Sequence, residues 1–278
     1  MSAFAMGPAL LFCPADRPER YAKAAERADA VILDCEDAVA PDAKDSAREA
    51  LAASRLDPAT TIVRINPLGT ADADADLAAL AGTDYRTVMV AKAEDPAALA
   101  ALAARGYAVI ALCETAAGVV AAGEIAAVDG VVALMWGAED LVASMGGTAS
   151  RDARGQYRAV VQHARATVHL AAAARGKASV DAVHLDITDE AGLAEAAADA
   201  AALGFVATAC IHPSQVAVIR RAYAPTPDQR VWAERVLAAA EHERGVFRLD
   251  GQMVDEPVLR HARAVLARGE GAAGTERV

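Results

Sequence analysis

Two acidic residues stand where their surroundings make them candidates for chemistry: Glu114 in Val109-Ile-Ala-Leu-Cys-Glu-Thr and Asp140 in Leu134-Met-Trp-Gly-Ala-Glu-Asp-Leu. Each follows a short apolar run that gives way to small and polar residues. A buried parallel strand surfaces in this way at its C-terminal end, where such folds keep their chemistry. Two carboxylates offered by neighbouring strands suit a hard divalent cation. Mg²⁺ takes one or two carboxylates, keeps several waters and leaves room for substrate oxygens. Glu139 adjoins Asp140, and residue type alone does not choose between them. Arg64, in Ile62-Val-Arg-Ile-Asn-Pro, carries a planar fork of donors suited to a carboxylate or an enolate oxygen. Glu36 is a candidate partner for the same chemistry, with a plain ion pair to Arg64 as the simpler alternative. Gly137 and Ala138 offer small side chains and backbone amides beside Asp140, a place for a substrate carboxylate. Arg17, Arg20 and Lys23 form a basic cluster, either a solvated helix face or a dock for the phosphates of a large anion.

These residues need a frame, and the chain repeats one theme that supplies it. A short apolar run leads to a polar tip and then to an Ala-rich stretch. The runs are 10–14, 30–35, 61–66, 87–91, 108–113, 131–136, 182–186 and 206–211. Between most of them lie about 20 to 30 residues, enough for a crossover helix and its loops. The longer gap after Trp136 must hold an extra helix or a lid. Eight strand–helix units predict a (β/α)₈ TIM barrel closed by right-handed crossovers. Asp16 reads as an N-cap ahead of Pro18, and Asp189 as the cap of a helix from Glu190 to Leu203 that Gly204 stops.

After the eighth run the pattern changes. We read residues 1–224 as the barrel and 225–278 as a C-terminal extension that packs on the barrel or on a neighbouring subunit. The extension predicts a helix over 229–243, a hairpin over 245–257 turning at Asp250-Gly251, a final helix over 257–268 and a tail from Gly269.

Composition excludes several function classes. With 55% hydrophobic but only 4% aromatic residues, the core must be built from Ala, Val, Leu and Ile. The net charge of −11 disfavours nucleic acid and anionic membrane as partners. No apolar run approaches the roughly 20 residues of a membrane span, and the N-terminus lacks a basic n-region, so a cytoplasmic location is expected. The four cysteines are far apart in apolar runs and read as small buried hydrophobes. No Gly-x-Gly-x-x-Gly, P-loop, Gly-x-Ser-x-Gly or His-Glu-x-x-His is present.

Taken together, Leu11-Phe-Cys-Pro-Ala-Asp-Arg-Pro-Glu-Arg, Ile32-Leu-Asp-Cys-Glu-Asp-Ala-Val, Val63-Arg-Ile-Asn, Ala111-Leu-Cys-Glu-Thr-Ala, Trp136-Gly-Ala-Glu-Asp-Leu and Cys210-Ile-His-Pro-Ser-Gln resemble the citrate lyase beta-subunit-like proteins, in their stand-alone branch. These belong to the HpcH/HpaI aldolase group with the malyl-CoA and citramalyl-CoA lyases. The resemblance runs from about Leu10 to Pro257. It implies Mg²⁺ on Glu114 and Asp140, the Gly-Ala-Glu-Asp pattern choosing Asp140 over Glu139. It further implies an α-keto acid on the metal, Arg64 at the enolate of an acyl-CoA thioester, and basic residues such as Arg17 and Lys23 at CoA phosphates. Asp255 matches an acidic residue that the family sends into a neighbour's active site as acid/base, within a trimer or hexamer. The implied reaction is a reversible Claisen cleavage or condensation of a malyl-CoA or citramalyl-CoA type substrate, with thioester hydrolysis as a variant. Two alternatives are a class II aldolase acting on free keto acids without CoA, and a non-catalytic subunit of a larger lyase complex.

Overall fold

The computed structural model describes residues 4–243 and 245–275. Eight parallel strands close into a barrel in sequence order: β1 (Ala9–Pro14), β2 (Ala30–Asp34), β3 (Thr61–Ile65), β4 (Thr87–Val90), β5 (Ala108–Cys113), β6 (Val131–Trp136), β7 (Ala178–Asp181) and β8 (Ala207–Cys210), with β8 pairing back onto β1. The chain is thus a (β/α)₈ TIM barrel. Crossovers are made by α1 (Tyr21–Arg27), α2 (Lys44–Ala53), α3 (Ala71–Leu80), α4 (Pro96–Ala104), α5 (Ala116–Val120), α6 (Ala122–Ala127), α7 (Ala138–Ser144), α8 (Ala159–Ala174) and α9 (Glu190–Leu203), and α10 (Pro213–Tyr223) follows β8. The long gap after β6 holds both α7 and α8.

Side-chain alternation along the strands explains what fills the barrel. Leu10, Ile32, Ile62, Met89, Ile110, Leu112, Met135 and Val180 belong to one fully buried cluster. Every second residue of a strand faces the same side. The interior column Ile32–Asp34 therefore continues upward from apolar to charged, as do Ile62–Arg64 and Leu112–Glu114. The mouth of the barrel is the top layer of its own core.

Two expectations need correction. The seventh strand is Ala178–Asp181, not 182–186. Its sequence reads as polar, yet Ser179 is satisfied by His169 and Asp181 by Trp136 and Arg165, so both are buried. His184 and Asp186 consequently lie in the loop beyond β7. Asp16 does not cap the first helix: a 3₁₀ turn, Pro18–Arg20, precedes α1 without a side-chain cap. Asp189 does cap α9 by accepting from the Gly192 amide, and Gly204 ends the helix with φ 101°.

The chain divides into two compact units, Met1–Ile219 and Arg220–Val278. The second unit contains α11 (Pro227–Ala240), an antiparallel hairpin of β9 (Phe247–Leu249) and β10 (Gln252–Val254), and α12 (Glu256–Thr275). The hairpin turns at Asp250 and Gly251, both with positive φ, as a tight two-residue turn requires. Ala233, Val236, Val254, Ala262 and Val265 form a small core within this unit. The helix α12 runs past the expected tail to Thr275, and residues 276–278 lie outside the described residues. Among the described residues, no helix is long and apolar enough to cross a membrane.

Candidate active site

Strands β2 to β6 deliver the charged residues of the mouth, and each arrives for a local reason. Arg64 projects from the end of β3 beside Asp34 of β2, its register partner. Its Nε donates to Asp34 Oδ1 at 2.7 Å and its Nη2 to Asp34 Oδ2 at 2.6 Å. Its Nη1 lies 3.3 Å from Glu36 Oε2, so the anticipated Glu36–Arg64 ion pair forms. The flat face of the guanidinium lies over Phe12, 4.9 Å from the ring centroid. A fork on one edge and an aromatic ring on one face fix the guanidinium plane. Burial alone would lower the Arg64 pKa, but Asp34 and Glu36 raise it, so the group stays a cation.

Glu114 follows β5 and is buried. Burial, then the nearby Asp140 charge, push its pKa from an ordinary 4.5 up to about 8, against the opposing pull of Arg64 and Lys92. Gly137, at the end of β6, allows that burial: a Cβ there would stand 2.9 Å from both Glu114 Cβ and Oε2. Asp140 lies in the first turn of α7, half-buried, and no side chain caps that helix at Gly137. Glu139 points elsewhere: it is exposed and accepts from Ser150 Oγ at 2.5 Å.

Glu114 and Asp140 are thus two neighbouring carboxylates that could hold a divalent cation completing its shell with other oxygens. Among the described residues, no group of three or more His, Cys, Asp or Glu side chains is placed to hold a metal.

The barrel thus brings together Arg64, Glu36, Glu114, Gly137, Ala138 and Asp140. Arg17 and Lys23 are exposed on the turn after β1 and on α1, and Arg17 lies 3.7 Å from Asp16. Asp255 belongs to the second unit, where its carboxylate accepts from the Val258 amide at 3.3 Å, at the start of α12. His212 is exposed and pairs with Ser214. The four cysteines are buried, and burial pushes Cys13 up to about 11 and Cys113 up to about 12, which keeps these thiols protonated.

Three polar residues carry more of the structure than their sequence context suggests, Asp34 and Lys92 within this site and Asp181 outside it. Asp34 holds Arg64 and also accepts from the Glu36 and Ala38 amides. Asp181, hidden by the misplaced seventh strand, accepts from Trp136 Nε1 at 2.6 Å and forks with Arg165. Lys92, with φ 49°, donates its amide to Glu114 Oε1 at 3.1 Å while its ammonium donates to Glu36 and Asp37. All three are polar residues at or next to strand ends, a signal that marks position without revealing partners. A cavity of about 890 Å³ lies outside the barrel between α8 and α9, but Arg165, Asp181 and Asp199 on its wall satisfy one another.

Comparison with known proteins adds a second line. Residues 9–213 match the profile of the HpcH/HpaI aldolase/citrate lyase family. The chain is 58% identical over 268 residues to the citrate lyase subunit beta-like protein of Mycobacterium tuberculosis, covering 96% of this chain and 97% of that one. It is 31% identical over 290 residues to the mitochondrial citramalyl-CoA lyase of Rattus norvegicus, covering 93% and 84%. Among solved structures, CitE from M. tuberculosis in complex with magnesium, acetoacetate and coenzyme A superposes with a TM-score of 0.92 at 58% identity, covering 96% of this chain and 99% of that chain.

Proposed function

The chain belongs to the HpcH/HpaI aldolase/citrate lyase family, and from that premise we propose that it is a Mg²⁺-dependent β-hydroxyacyl-CoA lyase. It would cleave, or in reverse form, a malyl-CoA or citramalyl-CoA type thioester, giving an acetyl-CoA-like thioester and glyoxylate or pyruvate. The observation that carries this reading is the buried Glu114 beside Asp140, facing the fixed guanidinium of Arg64. The M. tuberculosis protein solved with magnesium, acetoacetate and coenzyme A supports it.

In this reading Glu114 and Asp140 hold Mg²⁺, which when bound polarises the keto acid's carbonyl as a Lewis acid. The Gly137 and Ala138 amides orient the keto acid's carboxylate. Arg64 presents donors to the thioester oxygen as negative charge builds there, and Asp34 keeps the guanidinium from reorienting during the reaction. Preorganised donors of this kind contribute about 3 to 4 kcal/mol each. Glu36 balances Arg64 and fixes its free edge. Asp255, supplied by a neighbouring copy in a trimer or hexamer, takes the β-hydroxyl proton in cleavage and returns a proton to the acetyl carbon. Arg17 and Lys23 meet the CoA phosphates. Hydrolysis of the condensed thioester uses the same groups with water as the nucleophile.

A panel of malyl-CoA, citramalyl-CoA and the corresponding free acids, assayed with and without EDTA, tests the proposal. Cleavage of at least one thioester, abolished by EDTA and restored by Mg²⁺, is expected. Turnover of the free acids alone would replace it with a CoA-independent aldolase.

A further inference from the structure

Lys92 touches both carboxylates proposed to hold the cation, and also the one that balances Arg64. It follows β4, between the strands that carry Arg64 and Glu114. Its amide donates to Glu114 Oε1 at 3.1 Å. Its ammonium donates to Glu36 Oε1 and to Asp37 Oδ2 at 3.0 Å, and lies 3.5 Å from Asp140 Oδ1. Its backbone is left-handed, with φ 49°. The residues on either side hold that turn in place: the Ala91 amide donates to the Ile65 carbonyl of β3 at 3.3 Å, and the Ala93 amide to the Leu112 carbonyl of β5 at 2.9 Å. A non-glycine residue persists in this region only where its surroundings over-determine it, and such residues cluster at functional sites.

Lys92 divides the two candidate ligands in the same way. It meets Glu114 at Oε1 and Asp140 at Oδ1, and so leaves Glu114 Oε2, beside Gly137, and Asp140 Oδ2 to a cation. An ammonium has three hydrogens, and three carboxylates surround this one, so none remains for a substrate. Lys92 therefore acts on the reaction through its neighbours. Glu36, held at Oε1, turns Oε2 toward Arg64 Nη1 at 3.3 Å and accepts there from the Asp37 amide at 2.8 Å. One side chain thus cross-links the loop after β2, beside the arginine, to the first turn of α7, which carries Asp140.

We infer that Lys92 is a positioning residue: its ammonium fixes the separation between the Arg64 side of the mouth and the Asp140 side, so that both face one reaction centre. The physical basis is proximity. In the proposed reaction Arg64 meets the thioester, the cation side meets the keto acid, and the bond that breaks or forms lies between them. A misplacement of about 1 Å between groups that must meet can cost about a hundredfold in rate. The barrel ladder does not set this separation directly, because β3 and β6 are not neighbours in it. The inference rests on the proposed lyase reading.

The test uses the full-length wild type, Lys92→Met and Lys92→Arg. Methionine keeps the amide and an unbranched stem, so the change isolates the ammonium. Hydrogen exchange without cation or substrate reads the cross-link itself: amides of 35–40 and 138–144 should exchange about tenfold faster in Lys92→Met, with the rest of the barrel unchanged. Cleavage of malyl-CoA or citramalyl-CoA at saturating Mg²⁺ reads its consequence: kcat should fall about tenfold to a hundredfold while KM stays within about threefold. Calorimetry with Mg²⁺ alone should find the wild-type stoichiometry, which shows that the fall is not a loss of folded sites. Lys92→Arg should recover most of kcat, because a guanidinium has donors for the same carboxylates and cannot give up a proton. A kcat within about threefold of wild type in Lys92→Met overturns the role and leaves the proposed reaction standing. Faster exchange spread evenly over the barrel also overturns the role. A wild type that binds Mg²⁺ but cleaves neither thioester overturns the reaction and the role together. Lys92→Gln serves in the same comparison should the methionine variant fail to fold.

Discussion

A carboxylate buried beside another carboxylate holds its proton more tightly, and Glu114 is in that position. Its folded pKa of about 8 lies above its ordinary 4.5, so the folded chain binds a proton that the unfolded chain has released across that window. Without metal, stability should therefore decline as pH rises from about 4.5 to about 8 and then level off. A cation on Glu114 must displace that proton. The apparent Kd for Mg²⁺ is predicted to fall about tenfold per pH unit up to about pH 8 and to flatten above it. Calorimetry between pH 6 and 9 measures this directly, and a flat profile would show that Glu114 is not titrating at the metal site. Much of this was legible in the residues: Glu114 and Asp140 each end an apolar run, and Arg64 lies at a third strand end. The work done by Lys92 and Asp34 was not. Their positions are visible in the sequence, but their partners come from other strands, 56 residues away for Lys92 with Glu36 and 30 for Asp34 with Arg64.

At the scale of elements, the tip of β3 is held by a buried charge on a neighbouring helix. Asp76 of α3, fully buried, accepts from the Asn66 amide at 3.0 Å and from Asn66 Nδ2 at 2.7 Å, and pairs with Arg48 Nε of α2 at 2.8 Å. Asn66 in turn donates to the Cys35 carbonyl next to Glu36. One carboxylate thus links two helices to the loop that carries Glu36. Asp76→Ala is predicted to cost about 2 kcal/mol, because it leaves Arg48 Nε and two Asn66 donor hydrogens without an acceptor, while Arg48 keeps its pairs with Asp45 and Asp72. Urea denaturation measures it, and a loss below about 1 kcal/mol would contradict this assignment. Strand β7 shows where sequence periodicity fails. Its burial depends on Ser179 and Asp181 finding polar partners on α8 and β6, so its pattern resembles a loop while the adjacent Ala182, Val183 and Leu185 resemble a strand. The hairpin in the second unit was readable because a turn is specified locally by Asp250 and Gly251.

For the whole molecule, the fold followed from eight repeated apolar runs, whereas assembly has no comparable local signature. The proposal that Asp255 works in a neighbouring copy makes a separate prediction. Arg64→Ala and Asp255→Ala chains, each inactive alone, should recover turnover when mixed under subunit exchange, since one mouth in the mixed oligomer would combine an intact Arg64 with an intact Asp255. No recovery after exchange has been verified by mass spectrometry would place Asp255 outside the neighbour's chemistry.

The central claim is a divalent cation on Glu114 and Asp140, and diffraction can locate one. Crystals grown with Mn²⁺ in place of Mg²⁺ should give an anomalous peak between these two carboxylates, with bond lengths of about 2.0–2.2 Å, and Asp140→Asn should remove it. A peak elsewhere in the molecule, or an undiminished peak in the variant, would contradict the account.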